Sequence, residues 1–341
     1  MGAEILLQGV ERVSRTSEIA FQQKKSDRIL TISKRSNYIW GMNLSIITVT
    51  YQSNEYIDQC ILSVVTHILD PSYEHIIIDN GSTDGTIETI ESGYLNYVRL
   101  LKNDRNLGFA AANNRALEEA KGRYILFLNP DMQIHKGWLD DLLAWMDAQE
   151  GIGIASCKLL NYLHEPHQHL RPWKFPRPSK GFLWSTIKPH FQSSSNYFYP
   201  SFDDDKTQEV EHVRGAFMLL KKETLQRLGI AFDPNYFILS EDVDLCKTIS
   251  ALGLKIVYWP HLCCIDYFSR SFILQPKPWK YLHMQRGWKI YLRKWHSPWH
   301  AFWFSLFMPI TFLSRLPKWG LKSSYKALKE YREQVGNLKT R

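Results

Sequence analysis

The stretch from Tyr124 to Ile134, Tyr-Ile-Leu-Phe-Leu-Asn-Pro-Asp-Met-Gln-Ile, constrains the fold more than any other. Its unbroken apolar run, Tyr124 to Leu128, is short and aromatic-rich, which predicts a strand buried on both faces. The run stops abruptly at Asn129-Pro130-Asp131. A carboxylate at the tip of a buried strand is costly unless something pairs with it. A divalent cation that carries a phosphate ligand is the natural partner. Taken alone, the same residues also spell a plain strand followed by an Asn-Pro turn, so the rest of the chain has to decide.

Upstream, Leu44–Thr50 is rich in β-branched residues and predicts a first strand. Ile57, Cys60, Ile61, Val64, Val65 and Ile68 then recur at helical spacing, and Asp70-Pro71 ends that helix. A second strand, His75–Ile78, closes in Asp79-Asn80-Gly81-Ser82-Thr83-Asp84-Gly85, a loop dense in turn formers. A helix from Thr86, a strand near Tyr97–Leu101 and an Ala-rich helix opened by Asn106-Leu107-Gly108 lead to the Tyr124 strand. A helix over Lys136–Ala148 and a strand near Ile152–Ser156 follow. Such alternation predicts a parallel, doubly wound sheet, which binds ligands at the carboxyl ends of its strands. Thr50-Tyr51, Asp79–Asp84 and Asn129–Asp131 all fall at that edge, which turn-making alone explains poorly.

Asn161–Asp205 is rich in Pro, His, Ser and aromatic residues without a steady period, which suits a wall over the site or an uninvolved surface excursion. Val210–Leu220 predicts a strand containing Gly215, and Lys221–Leu228 a short helix. After an aromatic run, Glu241, Asp242 and Asp244 open a further helix. Acids suit a first helical turn, so capping is one reading. An acid facing an apolar pocket gains proton affinity, as a general base needs, and that is the other. Lys255–Trp259 predicts a strand, and Cys263–Phe272 leads out of the domain.

The five cysteines are scattered and never spaced as CxxC, which argues against a disulfide framework or zinc site and fits a reducing compartment. No signal-peptide pattern precedes Met42, and residues 1–41 read as a polar extension without a catalytic role. The formal charge of +8 is concentrated beyond Ile273, where 14 Lys and Arg face two Glu. Trp279, Trp288, Trp295, Trp299, Trp303 and Trp319 interleave with those cations. The most apolar piece there, Ala301–Leu313, is far shorter than the roughly 20 residues that span a bilayer. Residues 273–341 therefore predict either helices lying in the membrane interface or a helical subdomain packed on the core.

In order and spacing, Val49-Thr50-Tyr51, Asp79–Gly85, Asn106-Leu107-Gly108-Phe109, Asn129-Pro130-Asp131, Phe232–Leu245 and Arg270-Ser271-Phe272 resemble the inverting glycosyltransferases of family 2, with the GT-A fold. The likeness covers Met42 to about Phe272 and is greatest to rhamnosyltransferase-type enzymes. It implies a Rossmann-like, mixed and mainly parallel α/β sheet flanked by helices over residues 42–272, with the helical basic and aromatic tail beyond. Thr50, with Tyr51 beside it, and Asp79 would hold the base and ribose of a dTDP- or UDP-sugar. Ser82 and Asn106 would lie near the nucleotide. Asp131 would bind Mg²⁺ or Mn²⁺ bridging the diphosphate, and Asn129 would sit by the ribose or a metal-bound water. Asp242 would be the catalytic base and Glu241 would orient the acceptor, a glycan or lipid-linked glycan. Asn129 replaces a carboxylate of the commoner motif, and Asp266 stands where many relatives carry a histidine near the metal, a position from which Asp can still ligate.

The resemblance further implies an enzyme of cell-surface glycan synthesis, cytoplasmic and peripheral to the inner face of the membrane, with no nucleic-acid partner. A non-catalytic nucleotide-sugar scaffold is the alternative that Asn129 and Asp266 motivate. A nucleotidylyltransferase would need a glycine-rich loop after the first strand, and Thr50-Tyr51-Gln52-Ser53-Asn54 has none.

Overall fold

The computed structural model describes residues 41–177, 198–267 and 275–339. The polar extension up to residue 40, the Arg270-Ser271-Phe272 motif and the middle of the 161–205 segment lie outside the described residues.

The amino-terminal half follows the expected alternation. Strand β1 (Leu44–Thr50) leads to helix α1 (Ile57–His67), β2 (Tyr73–Asp79), α2 (Thr86–Gly93), β3 (Arg99–Lys102), α3 (Phe109–Glu119) and β4 (Tyr124–Leu128). These strands pair in parallel, with β1 between β2 and β4. Every residue of β4 is buried. Leu126 joins a core layer with Leu44, Ile46, Val64 and Leu142, while Phe127 joins the opposite layer with Ile47, Ile76 and Phe232. Successive side chains of a strand point to opposite faces, so a continuous apolar run is what a doubly covered strand requires.

The other half departs from a parallel sheet. Strand β5 (Met132–Lys136) is an element the sequence does not announce: Met132–Ile134 ends the Tyr124 stretch and Lys136 opens the expected helix, whereas helix α4 (Leu139–Asp147) begins three residues later. Beyond it lie β6 (Ile152–Leu160), β7 (Gln208–Val210), β8 (Phe217–Lys221), α5 (Lys222–Leu228), α6 (Glu241–Ala251) and β9 (Lys255–Asp266). The sheet is nine-stranded and mixed, in the order β3-β2-β1-β4-β8-β6-β9-β5, with β7 paired to β9. β8 runs antiparallel to both β4 and β6. The strand expected over Val210–Leu220 is thus two strands, with residues 211–216 running from the start of β9, where Val210 pairs with Ile256, to the carboxyl end of β4, where Phe217 pairs with Leu128. Cys263–Asp266 likewise continues β9 instead of leaving the domain, because β5 is there to pair with it.

Four helices close the chain: α7 (Lys277–Trp295), α8 (Pro298–Leu313), α9 (Leu316–Trp319) and α10 (Leu321–Lys339). Helix α7 packs on the rest of the molecule. Its Tyr291 is fully buried in the layer that holds Phe127 and Phe232. Among the described residues no helix is long and apolar enough to cross a membrane.

Candidate active site

The ends of β1 and β2 build the first wall. Thr50 and Asp79 are register partners and both are fully buried. The Asp79 carboxylate accepts hydrogen bonds from Thr50 Oγ1 (2.8 Å), Ser82 Oγ (2.6 Å), Gly81 N–H (2.9 Å) and Ser82 N–H (2.8 Å). A carboxylate has about four acceptor positions, so Asp79 is largely satisfied from within the chain and fixes the shape of its own loop. Ser82 Oγ in turn accepts from the Gln52 N–H at 2.9 Å. Gln52 and Thr83 exchange two further bonds, and the Asn54 N–H donates to Asp84 at 3.0 Å. The loops after β1 and β2 are therefore stitched into one unit, with Tyr51 half-buried within it.

A third loop docks on this unit. Asn80 donates to Gly108 O at 3.2 Å and accepts from Asn103 at 2.8 Å, while Asn106 accepts from the Gly108 N–H at 2.8 Å. Gly108 has φ +84°, and a Cβ there would sit 2.4 Å from Phe237 O, so only glycine allows the approach. The neighbouring Phe109 N–H donates to that same carbonyl at 2.7 Å. Asn106 thus shapes the loop that joins the β1–β2 edge to the segment before α6.

The tip of β4 meets the other wall. β1 and β4 pair in parallel from Leu44 opposite Tyr124 to Ile47 opposite Phe127, so Thr50 and Asn129 follow at the same edge. The Asn129 N–H donates to Ala216 O at 3.0 Å. Asp131 is 6% exposed and Asp266 is 1% exposed. They lie on adjacent antiparallel strands: Met132 faces Asp266, and the Tyr267 N–H donates to Asp131 O at 3.2 Å. Among the described residues no group of three or more His, Cys, Asp or Glu side chains could hold a metal. Two nearly buried carboxylates in one corner nevertheless fit the way Mg²⁺ and Mn²⁺ are commonly held, by one or two carboxylates with substrate phosphates and water completing the shell. Arg214 Nη2 lies 3.8 Å from Asp266 Oδ2, adding a fixed positive charge to the same corner.

Asp242 sits one residue into α6. Its Oδ2 accepts from the Gly215 N–H at 3.0 Å and lies 3.4 Å from His212 Nε2. The space a Gly215 Cβ would occupy is within 4 Å of both Asp242 and the Phe109 ring, so the loops converge here. Burial alone would raise the Asp242 carboxyl, but the charge and hydrogen bond of His212, with the Gly215 and Val243 N–H groups, outweigh it and pull the pKa down to about 2. Glu241 goes the other way. Burial, then the neighbouring charges of Asp242 and Asp244, push its carboxyl well above the ordinary range. Its Oε2 finds no hydrogen-bond partner among the described residues. The raised proton affinity expected of this acidic pair thus holds for Glu241 and is reversed for Asp242, because Asp242 found the His212 imidazole and backbone donors that the sequence did not announce. Leu239 and Ser240, just before the pair, both have positive φ (71° and 72°). Two such non-glycine residues in succession cost on the order of 1–3 kcal/mol each and are sustained only where the surroundings impose them.

The loops bring Thr50, Tyr51, Asp79, Ser82, Asn106, Asn129, Asp131, Asp266, Glu241 and Asp242 to one edge of the sheet. Sequence reasoning missed His212 and Arg214. The available signal was the cluster of polar side chains Glu211, His212 and Arg214 just before Gly215, in a stretch that was read as an unbroken strand. Asp244, read with its two neighbours, has another role: it is 2% exposed and accepts from Lys294 Nζ (2.7 Å) and Trp295 Nε1 (2.6 Å) of α7.

Residues 45–229 match the family model "Glycosyl transferase family 2". The chain is 27% identical over 273 residues to the N-acetylglucosaminyl-diphospho-decaprenol L-rhamnosyltransferase of Mycobacterium tuberculosis, covering 75% of this chain and 86% of that one. It is 29% identical to the rhamnosyltransferase WbbL of Escherichia coli, covering 55% and 71% of the two chains. A solved mannosyltransferase of Pyrobaculum calidifontis, in complex with GDP-Man and Mn²⁺, superposes with a TM-score of 0.48 at 19% identity, over 94% of this chain and 89% of that one.

Proposed function

This chain belongs to glycosyl transferase family 2, and from that premise we propose that it moves a sugar, in the first instance rhamnose, from a dTDP- or UDP-sugar to a hydroxyl of a lipid-linked glycan, with inversion at the anomeric carbon. The observation that carries the reading is the opposite behaviour of Glu241 and Asp242 where the loops meet. Two acidic groups whose environments drive their proton affinities apart are the usual mark of divided roles.

Asp242, ionised at neutral pH and 21% exposed, takes the proton of the incoming hydroxyl. His212 and the Gly215 N–H hold the accepting carboxylate in place. Glu241, kept protonated, offers a hydrogen bond to the acceptor and orients it. The stitched loops of Thr50, Tyr51, Asp79 and Ser82 seat the base and ribose, with Asn106 and Asn129 lining the approach to the phosphates. Asp131 and Asp266 are the side chains that would hold Mg²⁺ or Mn²⁺, and a cation bound there stabilises negative charge on the departing diphosphate. Arg214 adds positive charge on the same side.

The acceptor reading rests on the relatives and on α8. Trp299, Phe302, Trp303, Leu306, Ile310 and Leu313 recur at helical spacing on its exposed face. With the surrounding Lys and Arg, that face suits an anionic membrane surface, aromatic rings at headgroup depth. The enzyme then works at the cytoplasmic leaflet, where a polyprenyl-linked acceptor presents its sugar.

The test is turnover. A panel of UDP-, dTDP- and GDP-sugars is offered with Mg²⁺ or Mn²⁺ and a polyprenyl-diphospho-N-acetylglucosamine acceptor. Release of nucleoside diphosphate with an inverted anomeric product supports the reading. Retention of configuration, or full turnover by Asp242→Asn, refutes the mechanism.

A further inference from the structure

We propose that helix α7 is part of the catalytic apparatus and that Gly287 within it is a positioning residue for Asp242. The inference rests on the reading of Asp242 as the base.

Helix α7 touches the segment before and through the start of α6 along its whole length. Phe237 stacks near His283 (ring centroids 4.9 Å apart) and Trp279 (6.3 Å). Arg286 donates to Asn235 O at 3.3 Å. Lys294 and Trp295 grip the buried Asp244. Between these contacts lies Gly287, and a Cβ on it would meet Leu239 O at 2.7 Å, Ser240 Oγ at 2.8 Å and Ser240 Cβ at 3.1 Å. Leu239 and Ser240 are the two consecutive positive-φ residues that deliver the chain to Glu241 and Asp242.

A strained turn persists only when its surroundings over-determine it. The surroundings here are the bare backbone of α7 at Gly287. From Gly287 to Lys294 and Trp295 is about two helical turns, so one rigid helix holds the base-bearing segment at two points, just before Asp242 and just after it. That spacing fixes where Asp242 meets the Gly215 N–H and His212. A side chain at 287 pushes the turn away, and Asp242 then loses the two contacts that keep it ionised.

It follows that removing residues 273–341 is no test of membrane binding, since it also removes this brace. Substitutions on the exposed face of α8 are the appropriate probe.

Gly287→Ala is compared with Gly336→Ala, a helical glycine of α10 around which a Cβ meets nothing within 4 Å. We expect Gly287→Ala to lower transfer kcat at least about tenfold while nucleoside diphosphate affinity stays within about twofold. The acid limb of its kcat profile moves to higher pH, a change that a merely structural role does not produce. Ser240→Gly added to Gly287→Ala relieves two of the three close contacts and restores part of the lost kcat. Should Gly287→Ala fail to fold, Trp295→Phe, which deletes only the Nε1–H donor to Asp244, is expected to lower kcat severalfold at unchanged donor KM. Wild-type kcat and pH profile in folded Gly287→Ala, or equal losses of kcat and nucleotide affinity, overturn the proposal. If Asp242→Asn itself retains full turnover, the base reading has failed instead.

Discussion

The two halves of the site are built on opposite principles. The wall formed by the β1, β2 and β3 ends is neutralised from within: Asp79 receives four internal hydrogen bonds, and Gln52, Asn54 and Asp84 tie one loop to the next. The wall formed around residues 211–216, α6 and the end of β9 is left charged and strained. It holds an Asp242 whose carboxyl is pulled down, a Glu241 whose carboxyl burial pushes up and whose Oε2 has no hydrogen-bond partner among the described residues, and two successive positive-φ residues. A wall proposed to seat a nucleotide gains from rigidity. A wall that must accept a proton gains from groups poised away from their resting preference.

The comparison breaks most visibly at Asp242. Asp242→Asn should lower transfer kcat by about 10²–10⁴-fold, the span usual for a general base, and leave nucleotide affinity intact by calorimetry. A matching loss of affinity would mean that the two walls are not separate in function. Asp131→Asn should come next, with activity down by about 10–100-fold and the metal concentration for half-activation raised by a similar factor. Equal metal dependence in the variant would remove Asp131 from the cation's shell.

His212→Gln sharpens the electrostatic side. With its imidazole partner gone, the Asp242 carboxyl climbs from about 2 toward the ordinary value of ~3.9, and the acid limb of kcat/KM rises with it. The stability sign is the same. A depressed carboxyl contributes stability above its unfolded pKa, and that contribution is lost as the pH falls through about 2. The variant should therefore unfold at a higher pH than the wild type in acid titrations.

Glu241 carries the reverse sign. Its raised folded pKa costs stability as the pH climbs past the unfolded value of about 4.3. Glu241→Gln should hold or raise Tm at neutral pH while impairing the acceptor KM, and thermal scans from acid to neutral pH read this directly. The smallest effect belongs to Ser82→Ala in the stitched wall. One of four bonds to Asp79 disappears together with the bond from the Gln52 N–H, which costs about 1–3 kcal/mol of stability and raises donor KM a few-fold at unchanged kcat.

Much of the first wall was legible in the chain because it is local. Strands β1, β2 and β4 are runs of apolar residues, and their polar tips follow directly in sequence. The second wall was legible only in its acids. Glu241, Asp242 and Asp266 stood out as residue types, but their states depend on partners distant in sequence. The Gly215 N–H lies 27 residues from Asp242, and no local pattern marks a loop where strand propensity is continuous. Strand β5 escaped for the same reason: Met132–Lys136 pairs only with β9, more than a hundred residues away. The contact of Lys294 and Trp295 with Asp244 was likewise hidden inside a tail whose composition fitted a membrane interface as well as packing on the core.

The central claim is that Asp242 and Glu241, adjacent in sequence, hold opposite protonation states in the resting enzyme. Carboxyl ¹³C NMR titration of the intact protein tests it, with Asp242→Asn and Glu241→Gln assigning the two signals. The account predicts that the Asp242 signal stays ionised down to about pH 2 while the Glu241 signal is still protonated well above the usual glutamate range. Two signals titrating together near pH 4 would contradict it.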